Sequence, residues 1–162
     1  MQPNLGKIVT GLYLALTVIL IVPVSGIAAE TVADKTAAEE QLIWQTDYAT
    51  ALGKAKTENK HVFLFFTGSD WCSWCKRLNK EILSTPEFAR YSKEKLILVE
   101  VDFPKKRSQS ATLKTQNAKL AKRYKIEGYP TVIILDSSGT RIDELGYQEG
   151  GPAPFISKLS KS

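Results

Sequence analysis

The sequence predicts an α/β fold, with a central mixed β-sheet flanked by helices on both faces. Three observations support this class. The apolar runs HVFLFF and KLILVEVDF have the composition of strands buried on both faces. Amphipathic helical patterns precede, separate and follow these runs. A third apolar run, TVIIL, leads through a Gly-containing turn into a polar strand, which predicts a closing hairpin and therefore a mixed sheet.

The first half of the predicted domain contains a helix, a strand and a second helix. The segment 39–60 has one apolar stripe at helical spacing, made by Trp44, Tyr48, Ala51, Leu52 and Ala55. A buried strand follows at 62–66. Beyond it, apolar residues again recur at helical intervals, at Cys75, Leu78, Ile82 and Leu83. This pattern places Cys75 in the first turn of a helix and Cys72 at or just before its start.

The second half completes the order helix, strand, helix, helix, strand, helix, strand, strand, helix. STPEFARYSKE predicts a short helix that is capped by Ser84 or Thr85 and has Pro86 in its first turn. After KLILVEVDF, a polar connection at 104–110 leads into the helix LKTQNAKLAKRYKI. The hairpin turn is predicted at 136–139, and the tail predicts a last short helix.

Residues 1–28 have the pattern of a secretory signal peptide. A short basic start precedes an apolar run, Pro23 ends the run, and small residues favour cleavage after Ala28 over cleavage after Ala29. The competing interpretation is an uncleaved anchor, because the apolar run approaches the length of a membrane span. We therefore predict a periplasmic protein, with a flexible leader at 29–38 and one domain at 39–162.

The chain has a net charge of +5 and 24% charged residues, which is typical of a globular protein. The basic cluster KKR at 105–107 raises the question of nucleic-acid binding. This cluster is brief and lacks interleaved aromatic residues, and an exported protein leaves the compartment that holds nucleic acid. We interpret it as a solvated loop and predict no nucleic-acid partner.

The only two cysteines, Cys72 and Cys75, form a Cys-Ser-Trp-Cys motif. A structural disulfide stabilises a protein mainly by closing a long loop, and this pair encloses almost none. A structural zinc site needs four ligands, whereas the chain has 2 Cys and 1 His, so we predict no metal or other cofactor. Redox chemistry at a Cys72–Cys75 disulfide is the interpretation that remains strongest.

The chain resembles the thioredoxin superfamily over 44–159. The resemblance is carried by the strand VFLFF, the WCSWCK motif at its end, the stretch AKLAKRYKIEGYPTVIIL with Pro130, and the closing hairpin with Gly146. The context SDWCSWCKRL in an exported chain is most similar to the DsbH-type periplasmic reductases. The resemblance implies a thioredoxin-like fold and thiol-disulfide oxidoreductase activity.

Thiol chemistry predicts a different role for each cysteine. The attacking group is a thiolate, and a helix N-terminus favours that anion. We expect Cys72 to be the more exposed, attacking cysteine and Cys75 to be the shielded, resolving one. Lys76 and Arg77 either add positive potential or point to solvent.

The resemblance also implies a substrate-binding surface. In thioredoxin-like proteins the proline that matches Pro130 is cis, and the backbone of the residue before it, here Tyr129, pairs with an extended substrate. Trp71, Ser73 and Trp74 complete the predicted surface. The same aromatic residues would equally serve a binding module without catalytic activity.

Two positions depart from thioredoxin. Thioredoxin has a buried acid six residues before the nucleophile, and the matching residue here is Phe66. Proton transfer from Cys75 then needs water or another group, for which Glu100 on the neighbouring strand is the candidate, with an exposed strand carboxylate as the alternative. Lys80 replaces the proline that kinks the active-site helix of thioredoxin.

The motif favours reduction over oxidation. No histidine lies between the cysteines to stabilise the thiolate, so we expect a potential nearer the thioredoxin end of the range of roughly −120 to −270 mV. We predict a monomeric reductase of disulfide-containing exported proteins, recharged by a membrane electron donor of the DsbD kind. A disulfide isomerase or oxidase of the same fold, and the binding module, remain as alternatives.

Overall fold

The computed structural model describes residues 42–161. The predicted signal peptide at 1–28, the leader at 29–38 and the start of the domain at 39 therefore lie outside the described residues. Within them, the elements are β1 (Trp44–Gln45), α1 (Tyr48–Glu58), β2 (His61–Thr67), α2 (Ser73–Leu78), a π-helical turn (Asn79–Leu83), α3 (Pro86–Lys95), β3 (Leu96–Asp102), α4 (Ala111–Tyr124), β4 (Thr131–Leu135), β5 (Arg141–Leu145) and α5 (Pro152–Leu159).

The five strands form one mixed sheet in the order β1-β3-β2-β4-β5. The pairs β1–β3 and β2–β3 are parallel, and the pairs β2–β4 and β4–β5 are antiparallel. The predicted α/β class and order of elements are confirmed, with β1 as an additional strand. Because β2 is central and buried, the loop at its carboxyl end is held on a rigid support.

Alternate residues of the central strands point to opposite faces of the sheet, and each face has its own apolar core. The first core, which contains both cysteines, includes Phe63, Phe65, Leu98, Phe88 and Phe155. The second core lies against α1 and α4 and includes Ala51, Ala55, Leu64, Phe66 and Tyr124. Helices therefore cover both faces, as the sequence predicts.

The predicted helix over 39–60 is wrong at its N-terminal end. The helix starts at Tyr48, where the N-cap Asp47 accepts a hydrogen bond of 2.6 Å from the Thr50 N–H. Trp44 lies in β1, and its ring packs edge-on against Phe63 at a centroid distance of 6.1 Å. Trp44 thus belongs to the first core and is not part of the apolar stripe of α1.

Other local features follow from sequence signals. Thr85 caps α3, and Pro86 occupies its first turn, as predicted. Lys80 lies within the π-helical turn that follows α2. The helix therefore departs from regular α geometry at this point without a proline. Among the described residues, no helix is both long and apolar enough to span a bilayer.

Candidate active site

Cys72 and Cys75 are joined by a disulfide at the start of α2, with a Cα–Cα distance of 5.3 Å. Cys72 is the N-cap of the helix, and its Sγ accepts a hydrogen bond of 3.1 Å from the Cys75 N–H. Cys72 is 6% exposed and Cys75 is 2% exposed. The predicted place of each cysteine on the helix is confirmed. Their order of exposure agrees with the prediction, although both residues are buried.

The loop before β4 lies beside this helix start. The Tyr129–Pro130 peptide bond is cis, which confirms that expectation. The Tyr129 ring meets Trp71 edge-on at 5.8 Å and lies 5.4 Å from the Phe103 ring. The structure therefore brings Tyr129 together with Trp71, the residue immediately before Cys72.

The Trp71 indole is held on three sides. Its Nε1 donates a hydrogen bond of 2.8 Å to the Phe103 carbonyl, and the Lys105 Nζ lies 4.1 Å from the ring centroid. A Cβ at Gly68 would approach the ring to 2.4 Å, so the indole packs directly on the Gly68 backbone. With 37% of its surface exposed, Trp71 presents a fixed aromatic face beside the cysteines.

Trp74 is 52% exposed, and its ring is in contact with Tyr147 and Arg77. Its ring packs against Tyr147 in a tilted arrangement with a centroid distance of 5.4 Å, and the Arg77 guanidinium lies 4.9 Å from the Tyr147 ring. Glu81 accepts hydrogen bonds from the Tyr147 hydroxyl at 2.6 Å and from the Arg77 Nε at 2.8 Å. The hydrogen bond from Tyr147, followed by that from Arg77, lowers the pKa of Glu81. Sequence reasoning missed Tyr147 and Glu81.

A pocket of about 220 Å³ opens beneath the disulfide. It is lined by Trp44, Phe65, Thr67, Ser69, Cys75, Lys76, Asn79 and Glu100. Burial raises the pKa of Glu100, the nearby Asp102 raises it further, and Arg107 acts in the opposite direction. The structure therefore brings the candidate Glu100 into the same pocket as Cys75, in a partly buried environment.

Phe66 lies six residues before Cys72, the position at which thioredoxin has its buried acid. It does not face Cys75. Its ring packs against Tyr124 at 6.4 Å in the second core, on the opposite face of the sheet. Phe65 lines the Cys75 pocket instead. An acid at position 66 would therefore point away from the cysteines in this chain.

The basic cluster at 105–107 is bonded through its backbone to Asp70, in the loop between β2 and α2, although its side chains are exposed. The Asp70 carboxylate accepts the backbone N–H groups of Lys105, Lys106 and Arg107 at 3.0, 2.6 and 3.3 Å. These hydrogen bonds, led by that from Lys105, lower the pKa of Asp70. The interpretation as an exposed loop is confirmed, and the hydrogen bonds to Asp70 add that its backbone is held in place.

Arg107 forms a second link between this loop and the active site. Its Nη2 donates to the Ser69 Oγ at 2.6 Å and to the Asp102 Oδ2 at 3.2 Å. Asp102 is buried and also accepts the Ser69 N–H at 2.9 Å. In the sequence, Asp70 follows the apolar run HVFLFF, and Asp102 lies near the end of the run KLILVEVDF. An acidic residue after each of these two predicted strands was the signal that could have revealed the links.

The chain matches the thioredoxin-like domain family over residues 48–159. It belongs to this family. The disulfide bond reductase DsbH of Chlamydia pneumoniae is 38% identical over 125 residues, which are 77% of this chain and 75% of that protein. A solved structure of a DsbH oxidoreductase has a TM-score of 0.75 and 36% identity, and the match covers 85% of this chain and 93% of that one.

A more distant relative is the C-terminal domain of Neisseria meningitidis DsbD in its oxidised form. Its TM-score is 0.52 and its identity 25%, and the match covers 70% of this chain and 90% of that one. As a thioredoxin-like protein similar to DsbH, the chain is a thiol-disulfide oxidoreductase with its two cysteines as the redox group. Among residues 42–161, no three side chains are grouped as a metal site requires.

Proposed function

We propose that this protein is a periplasmic reductase of protein disulfides, in which Cys72 attacks and Cys75 resolves. The observation that carries the proposal is the position of Cys72 as N-cap of α2, where its Sγ accepts the Cys75 N–H. A thiolate at the same place would keep this donor and gain the favourable end of the helix dipole. This donor and the helix dipole support the proposed role of Cys72 as the attacking thiolate.

The reaction begins with the dithiol form. The Cys72 thiolate attacks one sulfur of the substrate disulfide, the substrate S–S bond breaks, and the leaving substrate thiolate takes up a proton. Cys75 then loses its proton and attacks the Cys72 sulfur. This step breaks the mixed disulfide, releases the second substrate thiol and forms the Cys72–Cys75 disulfide, so two electrons pass to the substrate.

Glu100 is the proposed base for Cys75. Both residues line the same pocket, whose volume of about 220 Å³ is large enough to hold water. The raised pKa of Glu100 lies closer to the pKa of a thiol than an ordinary carboxyl pKa does. The Glu100 carboxylate is therefore a better proton acceptor at neutral pH. The carboxylate accepts the proton when Cys75 attacks and returns it when the disulfide is reduced again.

The substrate-binding surface consists of Trp71, Ser73, Trp74, Tyr129 and Pro130. Ser73 and Trp74 lie exposed in the first turn of α2, and Trp71 is held beside Tyr129. In this proposal, an extended substrate pairs with the backbone of Tyr129 and packs its side chains on the two tryptophans. Aromatic side chains held in place lose little entropy when they bind a partner.

Reduction as the physiological direction rests on the motif and on the relatives. The residues between the cysteines are Ser73 and Trp74, neither of which stabilises a thiolate as a histidine does. The relative DsbH is named a disulfide bond reductase. Export through a signal peptide at 1–28 requires a membrane electron donor, for which a DsbD-type protein is our proposal. We also propose that the protein is a monomer.

The test is the redox equilibrium of residues 29–162 with glutathione buffers. We expect a potential nearer the thioredoxin end of the roughly −120 to −270 mV range. In parallel, Cys75→Ser is expected to accumulate mixed disulfides with a disulfide substrate, and Cys72→Ser to form none. A potential at the oxidising end would instead assign an oxidase. Full binding of a substrate by both variants, without any reduction by the wild type, would assign a binding module.

A further inference from the structure

We propose that the surface formed by Trp71, Lys76, Lys105 and Lys106, here called the basic flank, docks substrates that carry acidic residues beside their disulfide. The inference rests on the proposed function and names the class of substrate. It starts from the loop 104–110, which the structure fixes next to the residue preceding Cys72.

The three lysines of the basic flank keep their charges available. The Lys76 Nζ donates to the Asp70 backbone carbonyl at 3.0 Å, and the Lys105 Nζ lies over the Trp71 ring. Within the part of the chain that the structure describes, none of these lysines, including the exposed Lys106, forms an ion pair with a carboxylate. The Asp70 carboxylate accepts backbone N–H groups of the loop rather than a lysine Nζ.

The loop backbone is held in place before any partner arrives. Asp70 binds three successive N–H groups of the loop, and Arg107 bonds to Ser69 and Asp102. Ordering a loop on binding costs conformational entropy, and this cost is largely removed when the loop is already fixed. The backbone positions of Lys105 and Lys106 are thus fixed near Trp71 before a substrate binds.

The opposite side of the disulfide differs in charge. There, Arg77 pairs with Glu81 at 2.8 Å and with Glu149 at 3.7 Å, so the cation beside Trp74 is neutralised. The two exposed tryptophans therefore have different electrostatic surroundings. A substrate with acidic residues next to its cysteine complements the Trp71 side and gains nothing on the Trp74 side.

Charge complementarity at an exposed site acts mainly on the association rate and is screened by salt. The test uses two cyclic peptides with the same disulfide loop, one flanked by glutamates and the other by lysines. Rates are measured by acid quench and chromatography and divided by the rate with neutral hydroxyethyl disulfide. At low salt we expect the glutamate peptide to react about three- to tenfold faster, with the ratio falling towards one in high salt.

Matched variants separate the basic flank from overall charge. Lys105→Glu/Lys106→Glu is expected to abolish or reverse the preference, and the single variant Lys106→Glu, which leaves the Trp71 ring contact intact, is expected to reduce it. Lys56→Glu/Lys95→Glu makes the same charge change in the last turns of α1 and α3, before the starts of β2 and β3, and is expected to keep the preference.

Equal rates for the two peptides at low salt, or loss of the preference in the Lys56/Lys95 control, would overturn the docking proposal and leave the reductase proposal standing. A wild-type protein that reduces neither the peptides nor hydroxyethyl disulfide would overturn the proposed function and this inference with it.

Discussion

Glu100 and Phe65 are Cα partners in the parallel β2–β3 ladder, and both line the pocket that reaches Cys75. The carboxylate thus enters this pocket from β3, whereas the facing position on β2 is aromatic. Phe66 lies on the other face of the sheet and cannot contribute. Glu100 is therefore the residue through which the proposed proton transfer at Cys75 is tested first.

Replacing Glu100 by glutamine keeps the size of the side chain and removes the base. We expect the resolving step, in which Cys75 releases the mixed disulfide, to slow about 100-fold at neutral pH, at the low end for general base catalysis. Single-turnover quench experiments between pH 5 and 9 measure this step. Glu94→Gln, an exposed acid on α3, is the matched control.

A second variant separates proton transfer from packing. Glu100→Asp returns a carboxylate to the pocket from the same position of β3 and leaves Phe65 in place in the first core. We expect partial recovery of the rate and of its pH dependence. An unchanged pH profile in Glu100→Gln would exclude the carboxylate from the reaction.

The raised pKa of Glu100 also predicts how stability depends on pH. Between the pKa of the unfolded chain, about 4.3, and the higher pKa of the folded protein, the native state binds more protons than the unfolded state. The contribution of Glu100 to the free energy of unfolding therefore falls as pH rises through this window. We expect Glu100→Gln to lack this loss and to be more stable than wild type at pH 7, with the two converging at pH 4. Urea unfolding at both pH values measures the difference, and a constant difference would contradict the assignment.

Gly68→Ala tests the packing of the Trp71 indole on the Gly68 backbone. The new Cβ would lie 2.4 Å from the ring, so the ring must move and lose its hydrogen bond to the Phe103 carbonyl. We expect weaker substrate binding, seen as a higher KM with a smaller change in kcat. Gly53→Ala is the control: nothing lies within 4 Å of its Cβ, and alanine within α1 is expected to stabilise the fold by about 0.5–1 kcal/mol. The same rise in KM in both variants would refute the role of Gly68.

Tyr147→Phe tests the support of Trp74. The phenyl ring can keep the tilted packing against Trp74, but the hydrogen bond to Glu81 is lost. Because that bond is the largest cause of the lowered pKa of Glu81, we expect this pKa to rise towards its ordinary value. NMR titration of the glutamate side chains measures it, with Tyr91→Phe as the control. If Glu81 titrates as in wild type, the hydrogen bond from Tyr147 does not lower its pKa, and Arg77 accounts for the shift.

Local sequence signals predicted most of the elements and the place of the cysteines. Helical periodicity and apolar runs gave the order of elements, and the spacing around Cys72 gave the start of α2. Trp44 was misplaced because its spacing also fits a helix, whereas pairing with Leu98 across the sheet decides its structure. Such pairing is a long-range property that periodicity does not report.

The position of Phe66 and the fixed loop were missed for related reasons. Counting back from Cys72 assumes a constant path between strand and helix, and the path in this chain turns residue 66 to the opposite face. The bonds from Asp70 to 105–107 join segments far apart in sequence. Neither relationship is encoded in a short window of residues.

The arrangement of the tryptophans has an optical consequence. All 3 tryptophans of the chain lie by the disulfide: Trp44 lines the Cys75 pocket, Trp71 precedes Cys72, and Trp74 lies between the cysteines. Disulfides quench the emission of nearby indoles, so opening the Cys72–Cys75 bond should brighten the intrinsic fluorescence. We therefore expect the intrinsic fluorescence to report the redox state of Cys72 and Cys75 without an added label.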